Sequence, residues 1–274
     1  MRLSTLRIII VSSDKDLTTT RKAIKYYSEF ILHKDMVIIA PLQSVFFSDD
    51  FISEYPQITL VGDEDIKDYH VVKEFLTYHS SNIPHTGRSV GWYLQQFIKL
   101  SYLHQSPENV FLSDGDTIFS RALIGKIIKD PFLITTREDI GRYMALGLSL
   151  GMPMKKTSYI SNGGFFDTRL IRQYIESPVS FFKRSFDLIF HNKEFDFSEY
   201  QILGSINATK YRSNPIRIFR RWDLLLTKED WEKSITPIES ALDKYDAISW
   251  ETEHTKGCLK RIAAKFLYFT NFTW

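Results

Sequence analysis

The sequence predicts an α/β protein with a mainly parallel central sheet, and three observations predict it. Short β-branched runs alternate with stretches of helical period. Most of those runs are apolar throughout, as strands covered on both faces are. Each is closed by small polar or acidic residues, which suits the ends of strands in a doubly wound sheet.

The elements follow in order. "LRIIIVSS" reads as a first strand ended by serines. In "LTTTRKAIKYYSEFILH", Ala23, Ile24, Tyr27, Phe30 and Ile31 recur on a helical period, and "DMVIIAP" supplies a second strand. "QITLVGDED" is a third, with "IKDYHVVKEFLTYHS" as the helix behind it. After a break at Gly87 to Ser89, "VGWYLQQFIKLSYLHQ" predicts a helix whose apolar side carries Trp92, Leu94, Phe97, Ile98 and Leu100. "ENVFLSDGD" is the next strand and places its aspartates at the carboxyl end, where open α/β sheets bind ligands.

"DPFLITTRED" reads as a further strand. Gly141 to Pro153 has weak periodicity and reads as a mobile loop or lid. "SYISNGGFFDTRLIRQYIE" predicts a strand, a Gly-Gly turn and a helix, and the chain from Val179 to Lys210 is mostly helical, with Ser198 as an N-cap. "NPIRIFRRWD" concentrates Arg217, Arg220 and Arg221. A short strand, a polar loop and an amphipathic basic-aromatic helix follow. The expected organisation is one catalytic domain, 1–255, with a C-terminal tail, 256–274.

Composition narrows the function. The chain has 274 residues, 43% hydrophobic and 25% charged, enough for one large α/β domain. With 35 basic and 33 acidic residues the net charge is +2, so the overall balance does not ask for a nucleic-acid partner. Cys258 is the single cysteine, which excludes an internal disulfide and a thiolate zinc cluster and favours a reducing compartment, the cytoplasm by default. The apolar run Leu6 to Val11 is too short for a signal segment or a membrane span.

Asp114 and Asp116 flank Gly115 in "NVFLSDGDTIFS". Two carboxylates ~4 Å apart repel by roughly 4 kcal/mol at an effective dielectric of about 20, so a partly buried pair calls for a proton, a cation or a metal. A phosphatase of the Asp-x-Asp-x-Thr type would need Thr where Ile118 stands. A polymerase-like site would need more carboxylates and a basic nucleic-acid surface. Sugar-nucleotide transfer uses such a pair to hold Mg²⁺ or Mn²⁺ against a diphosphate. A plain turn, with one Asp capping and the other solvated, is as good a reading of the pair alone. Near the end, "HTKGCLK" spaces His254, Gly257 and Lys260 as a metal ligand, a close backbone approach and a phosphate cation. A solvated polar linker explains the same residues.

Together, "FLSDGDTIF", "YISNGGFFD", "SEYQILGSIN" and "HTKGCLK" resemble the GT-A (Rossmann-like) glycosyltransferases, most nearly family eight with glycogenin and the galactosyltransferases. "GWYLQQFIKL" further resembles bacterial surface-polysaccharide transferases. The resemblance implies a nucleotide-sugar donor, a UDP-sugar first, and a metal, Mn²⁺ or Mg²⁺, held by Asp114, Asp116 and His254. It implies diphosphate contacts at Gly257 and Lys260, and base or ribose contacts at Ser12 and Asp14. Asn162, Gly163 and Gly164 would lie beside the transferred sugar and acceptor.

Ser198, Glu199 and Tyr200 stand where the family has Asp-Gln-Asp, and there Glu199 could deprotonate an acceptor hydroxyl. It is equally a first-turn carboxylate stabilised by the helix dipole. Arg88, Gln95, Gln96 and Lys99 are candidate donor-sugar or phosphate contacts, with a solvated helix face expected for at least two of them. Packing is the first reading for Trp92.

The acceptor implied is a glycan or lipid-linked saccharide of bacterial lipopolysaccharide or capsule. The tail "KGCLKRIAAKFLYFTNFTW" sets an apolar face against positive charge, fitting either an anionic inner membrane surface or docking on the domain. The rival readings are a metal-dependent phosphatase or nucleotidyltransferase, and a non-catalytic glycan-binding protein on a transferase scaffold.

Overall fold

The computed structural model describes residues 6–82, 88–106, 109–220 and 236–249. Its centre is a five-stranded sheet. Strands β1 (Arg7–Val11), β2 (Met36–Ala40), β3 (Thr59–Gly62) and β4 (Val110–Asp114) run parallel, and β7 (Gly163–Phe166) runs antiparallel beside β4, in the order β3-β2-β1-β4-β7. The apolar runs form this sheet because it is covered on both faces, and alternate side chains go to opposite layers. Ile8 and Ile10 of β1, Met36 and Ile38 of β2 and Phe111 of β4 enter one core cluster. Ile9 and Val11, Val37 and Ile39, and Val110 and Leu112 enter the other.

Helices α1 (Leu17–Ser28) and α5 (Arg121–Lys129) pack on the first layer. Helices α3 (Tyr69–Tyr78), α4 (Val90–Gln105), α7 (Thr168–Tyr174), α8 (Pro178–His191) and α9 (Glu199–Asn207) pack on the second. The register aligns Val11 with both Ile39 and Asp114, so these three chain ends emerge at one edge of the sheet. Two small sheets flank it. Strand β10 (Ala247–Ser249) lies between β5 (Thr117–Phe119) and β9 (Ile218–Arg220), and β6 (Leu133–Thr135) pairs with β8 (Ser213–Pro215).

Most expected elements are present, and four readings change. Gly141 to Pro153 is not a loop: it contains helix α6 (Gly141–Ser149). Leu146 and Leu150 are buried, and Gly151, at φ +76°, ends the helix with its N–H on the Leu148 carbonyl while Met152 N–H reaches the Gly147 carbonyl at 2.9 Å. The expected Gly-Gly turn is the strand β7 itself. Asn162, at φ +54°, makes the turn, and Gly163 has no room for a side chain, since a Cβ there would meet the Phe119 ring at 2.5 Å.

The expected strand before it is reduced to one bridge, Thr136 with Ser158. Short helix α2 (Asp49–Glu54) is additional, capped by the Ser48 hydroxyl accepting from Phe51 N–H and favoured by Asp49 and Asp50 in its first turn. Helix α10 (Thr236–Leu242) and β10 lie within the span expected as the catalytic domain, 1–255. Residues 256–274 lie outside the described residues, as do Arg221, His254, Gly257 and Lys260. Among the described residues, no helix is long and apolar enough to cross a membrane.

Candidate active site at the carboxyl end of the sheet

Asp114 ends β4, and the Asp-Gly-Asp turn is pressed against the end of β1. Gly115 N–H donates to the Val11 carbonyl at 2.8 Å, and Thr20 Oγ1 donates to the Gly115 carbonyl at 3.1 Å. A Cβ on Gly115 would lie 2.5 Å from Ser12 Oγ and 2.9 Å from Ser12 Cα, so only glycine fits between the aspartates. Asp114 N–H donates to the Asn162 carbonyl at 2.9 Å, which ties the turn to the entry of β7. Thr117 Oγ1 lies 2.9 Å from Asp116 Oδ1 and 3.1 Å from Ser249 Oγ, and Asn162 Nδ2 donates to the same serine at 2.9 Å. Residues from 114 to 249 therefore meet at one strand end.

The charge that answers Asp114 comes from within the protein. Lys99 of α4, 1% exposed, puts Nζ 2.6 Å from Asp114 Oδ1 and 2.8 Å from Glu199 Oε1. Its ammonium also lies 4.6 Å from the centre of the Tyr200 ring, and the Tyr200 hydroxyl donates to Asp114 Oδ1 at 2.7 Å. The Gln96 amide faces the Glu199 carboxylate and donates to it. This links α4, β4 and the first turn of α9 through buried, charge-assisted hydrogen bonds.

Burial alone would lower the Lys99 ammonium, but Asp114 and Glu199 outweigh it and hold the group above its ordinary value. Burial raises the Glu199 carboxyl; Lys99 opposes the rise, Asp114 adds to it, and the net direction is upward. Tyr200 is held well above its ordinary value by burial and by the Asp114 charge.

Beside this link lies a second one. The Arg88 guanidinium pairs with Asp196 at 2.7 Å, donates to the Tyr143 hydroxyl at 2.5 Å and stacks 3.9 Å over Trp92. Asp196 also accepts from the Tyr93 hydroxyl and from Phe197 N–H. It therefore fixes Arg88 against the segment that leads into α9. Burial raises the Asp196 carboxyl, with Arg88 acting against the rise.

The sequence-predicted residues divide into groups. Asp114, Asp116 and Asn162 come together, with Glu199 one step behind Lys99. Ser198 spends its hydroxyl capping α9, accepting from Gln201 N–H at 3.3 Å. Ser12 is buried and shares a 2.7 Å hydrogen bond with Thr20. Asp14 is exposed and pins the loop after β2, accepting from the Ser44 hydroxyl and from Val45 N–H. Gln96 and Lys99 depart from the solvated face expected for part of their group: both are buried, because α4 is covered by sheet and helices nearly all round. Trp92 is half-buried and carries Arg88.

Sequence reasoning missed the inward Lys99, Tyr200 as a donor, and Ser249. The signal for the first was present: Gln96 and Lys99 lie on the helical stripe that Tyr93, Leu100 and Leu103 bury. Among the described residues, no group of three or more His, Cys, Asp or Glu is placed to hold a metal ion. The two aspartates supply hard oxygen donors of the type Mg²⁺ and Mn²⁺ take.

No protein-family model matches the sequence, and no curated protein matches it. Among solved structures, the fold is similar to those of glycosyltransferases, of which three serve as examples. Mouse xyloside xylosyltransferase 1 in its apo form is 11% identical at a TM-score of 0.45, over 92% of this chain and 100% of that one. The galactosyltransferase LgtC with donor and acceptor sugar analogues is 11% identical at 0.47, over 89% and 87%. The apo bifunctional glycosyltransferase WbbM is 14% identical at 0.46, over 93% of this chain and 46% of that one.

Proposed function

We propose that this chain is a metal-dependent glycosyltransferase that moves a sugar from a nucleotide-sugar donor to a glycan hydroxyl. One observation carries the reading: at the carboxyl end of a parallel sheet stands a partly exposed carboxylate pair, of which Asp114 is held from inside by Lys99. Asp116 and Asp114 Oδ2 would hold Mg²⁺ or Mn²⁺, with His254, outside the described residues, as the third ligand expected from sequence. When bound, the ion supplies positive charge beside a leaving diphosphate.

The chain's own residues prepare that site. Lys99 and the Tyr200 hydroxyl hold Asp114 through Oδ1, which fixes the carboxylate plane. Glu199 serves here as the counter-ion of Lys99, in place of the acceptor base its position suggests, because its side chain is fully buried and faces α4. Asn162, held on Ser249, flanks the turn on the side of β7 and would meet the transferred sugar or acceptor, as the sequence blocks imply. A UDP-sugar donor and a bacterial lipopolysaccharide or capsule acceptor are the expectations that the sequence blocks add.

The test is hydrolysis of a panel of sugar nucleotides with and without Mn²⁺. The expected result is metal-dependent release of the nucleoside diphosphate by the native chain, abolished in Asp116→Ala. If that variant kept the native affinity for a nucleoside diphosphate and the native metal dependence, the assignment would be wrong.

A further inference from the structure

A trough of two adjoining cavities runs along the two-stranded sheet. One cavity, about 640 Å³, lies between the carboxyl end of β6 and the connection from β8 to β9, with Arg137 and Arg217 on its walls. A second, about 500 Å³, shares Pro215 and Ile216 with it and extends to Lys126, Lys129 and Arg212. Each is within the roughly 300–1,000 Å³ of small-molecule sites. The upper end is tied to the site: Thr136 Oγ1 donates to the Ile160 carbonyl at 2.9 Å, just before Asn162, whose carbonyl holds Asp114 N–H.

The lining is unevenly charged. Arg212 is paired with Asp130, and Asp246 accepts the backbone N–H of Arg217 at 2.9 Å. Lys126, Lys129, Arg137 and Arg217 are exposed and have no ion pair among the described residues. Five cations, Lys126, Lys129, Arg137, Arg212 and Arg217, and three carboxylates, Asp130, Glu138 and Asp246, line the two cavities, and an excess of two positive charges along a concave, pocket-sized surface concentrates anions. Pro215 and Ile216 between them offer apolar surface for the C–H faces of a sugar ring.

We propose that this trough binds an anionic stretch of the acceptor saccharide, carrying phosphate or carboxylate groups, and so selects a charged glycan chain. The proposal rests on the transferase reading above and names the acceptor class for the same site. A saccharide fits better than a nucleic acid, because among the described residues no exposed aromatic side chain lines either cavity to stack on a base. It fits better than a membrane surface, because the cations line a concavity.

Calorimetry on the full chain with maltohexaose, phosphorylated maltohexaose and hexagalacturonate tests it. At low salt one of the two anionic chains should bind about tenfold or more tightly than the neutral one, with the advantage shrinking as salt screens it. Whichever anionic chain wins distinguishes phosphate from carboxylate. The double variants K126Q/K129Q and R137Q/R217Q should each reduce the preference and their combination should remove it, with unchanged thermal midpoints. Asp116→Ala should keep it. Equal binding of all three chains, or a preference that survives the combined variant, overturns the proposal. So does tighter binding of a single-stranded oligonucleotide or of anionic vesicles through the same four residues. Loss of the transferase reading would instead show as absent sugar-nucleotide hydrolysis with the saccharide preference intact.

Discussion

Asp114 and Asp167 stand at the ends of neighbouring strands, and each is matched with cations, but the two are built inside out from one another. At Asp167, just after β7, the carboxylate is 1% exposed, while its partners Arg169 and Lys210 are 64% and 49% exposed. The Tyr211 hydroxyl donates to it as well, at 2.9 Å. At Asp114 the order is reversed: the carboxylate is 20% exposed and its lysine is 1% exposed. An acid inside with cations outside is a clasp, closed to any ligand. A cation inside with its acid facing out leaves oxygen donors at the surface while preventing their charges from repelling unopposed. The difference separates a carboxylate enclosed by its partners from one whose oxygens reach the surface.

Lys99→Met is the strongest way to break the comparison. It strands Glu199 and Asp114 without their shared cation, and removing one member of a buried pair costs about 3–5 kcal/mol, which chemical denaturation would register. Adding Glu199→Leu should recover part of that loss, because a buried pair replaced by apolar groups is close to neutral. Asp116→Ala, on the outward side, should separate function from fold. It should lower metal-dependent hydrolysis by at least about 10–100-fold, as loss of groups around a metal does, with little change in the melting temperature.

Asp167→Asn should do the opposite, costing about 1–3 kcal/mol through the weakened charged hydrogen bonds while leaving nucleotide affinity unchanged. Its pH dependence has a definite sign. Burial would raise the Asp167 carboxyl, but hydrogen bonds from Arg169, Lys210 and Tyr211 outweigh it and hold the group well below the usual 3.8. The stability it contributes is therefore complete above that value and lost as pH falls below it. Native chain and variant should differ most near neutrality and converge in strong acid, by denaturation at a series of pH values. The smallest effect is expected at Gly151→Ala, about 1 kcal/mol, from forcing a side chain into φ +76° at the end of α6.

How much of this was legible depended on whether a residue's environment could be read from its own segment. β1, β2 and β4 were, since β-branched runs buried on both faces have few alternatives. The aspartate turn and the Ser198 cap were legible for the same reason. Helix α6 was hidden by weak periodicity, although Gly151 followed by Pro153 is a readable helix stop. Lys99 was hidden more deeply. Charge on a helix normally marks the solvated face, and the rule failed because α4 is enclosed and its lysine's partners come from β4 and α9, distant in sequence. The partnership of Asn162 and Thr117 with Ser249 was illegible too, because it depends on where β10 inserts.

That insertion bears on synthesis. Strand β5 directly follows the aspartate turn, yet among the described residues its only sheet neighbour is β10. During translation the four parallel strands can assemble while β5 still presents an unpaired edge, and long-range strand pairing of this kind is slow and exposed to aggregation. Thr117 and Asn162 gain Ser249 only after residue 249 has left the ribosome. The contacts that tie the aspartate turn and Asn162 to Ser249 thus form after the parallel sheet, and a nascent chain has its strands before it has these ties.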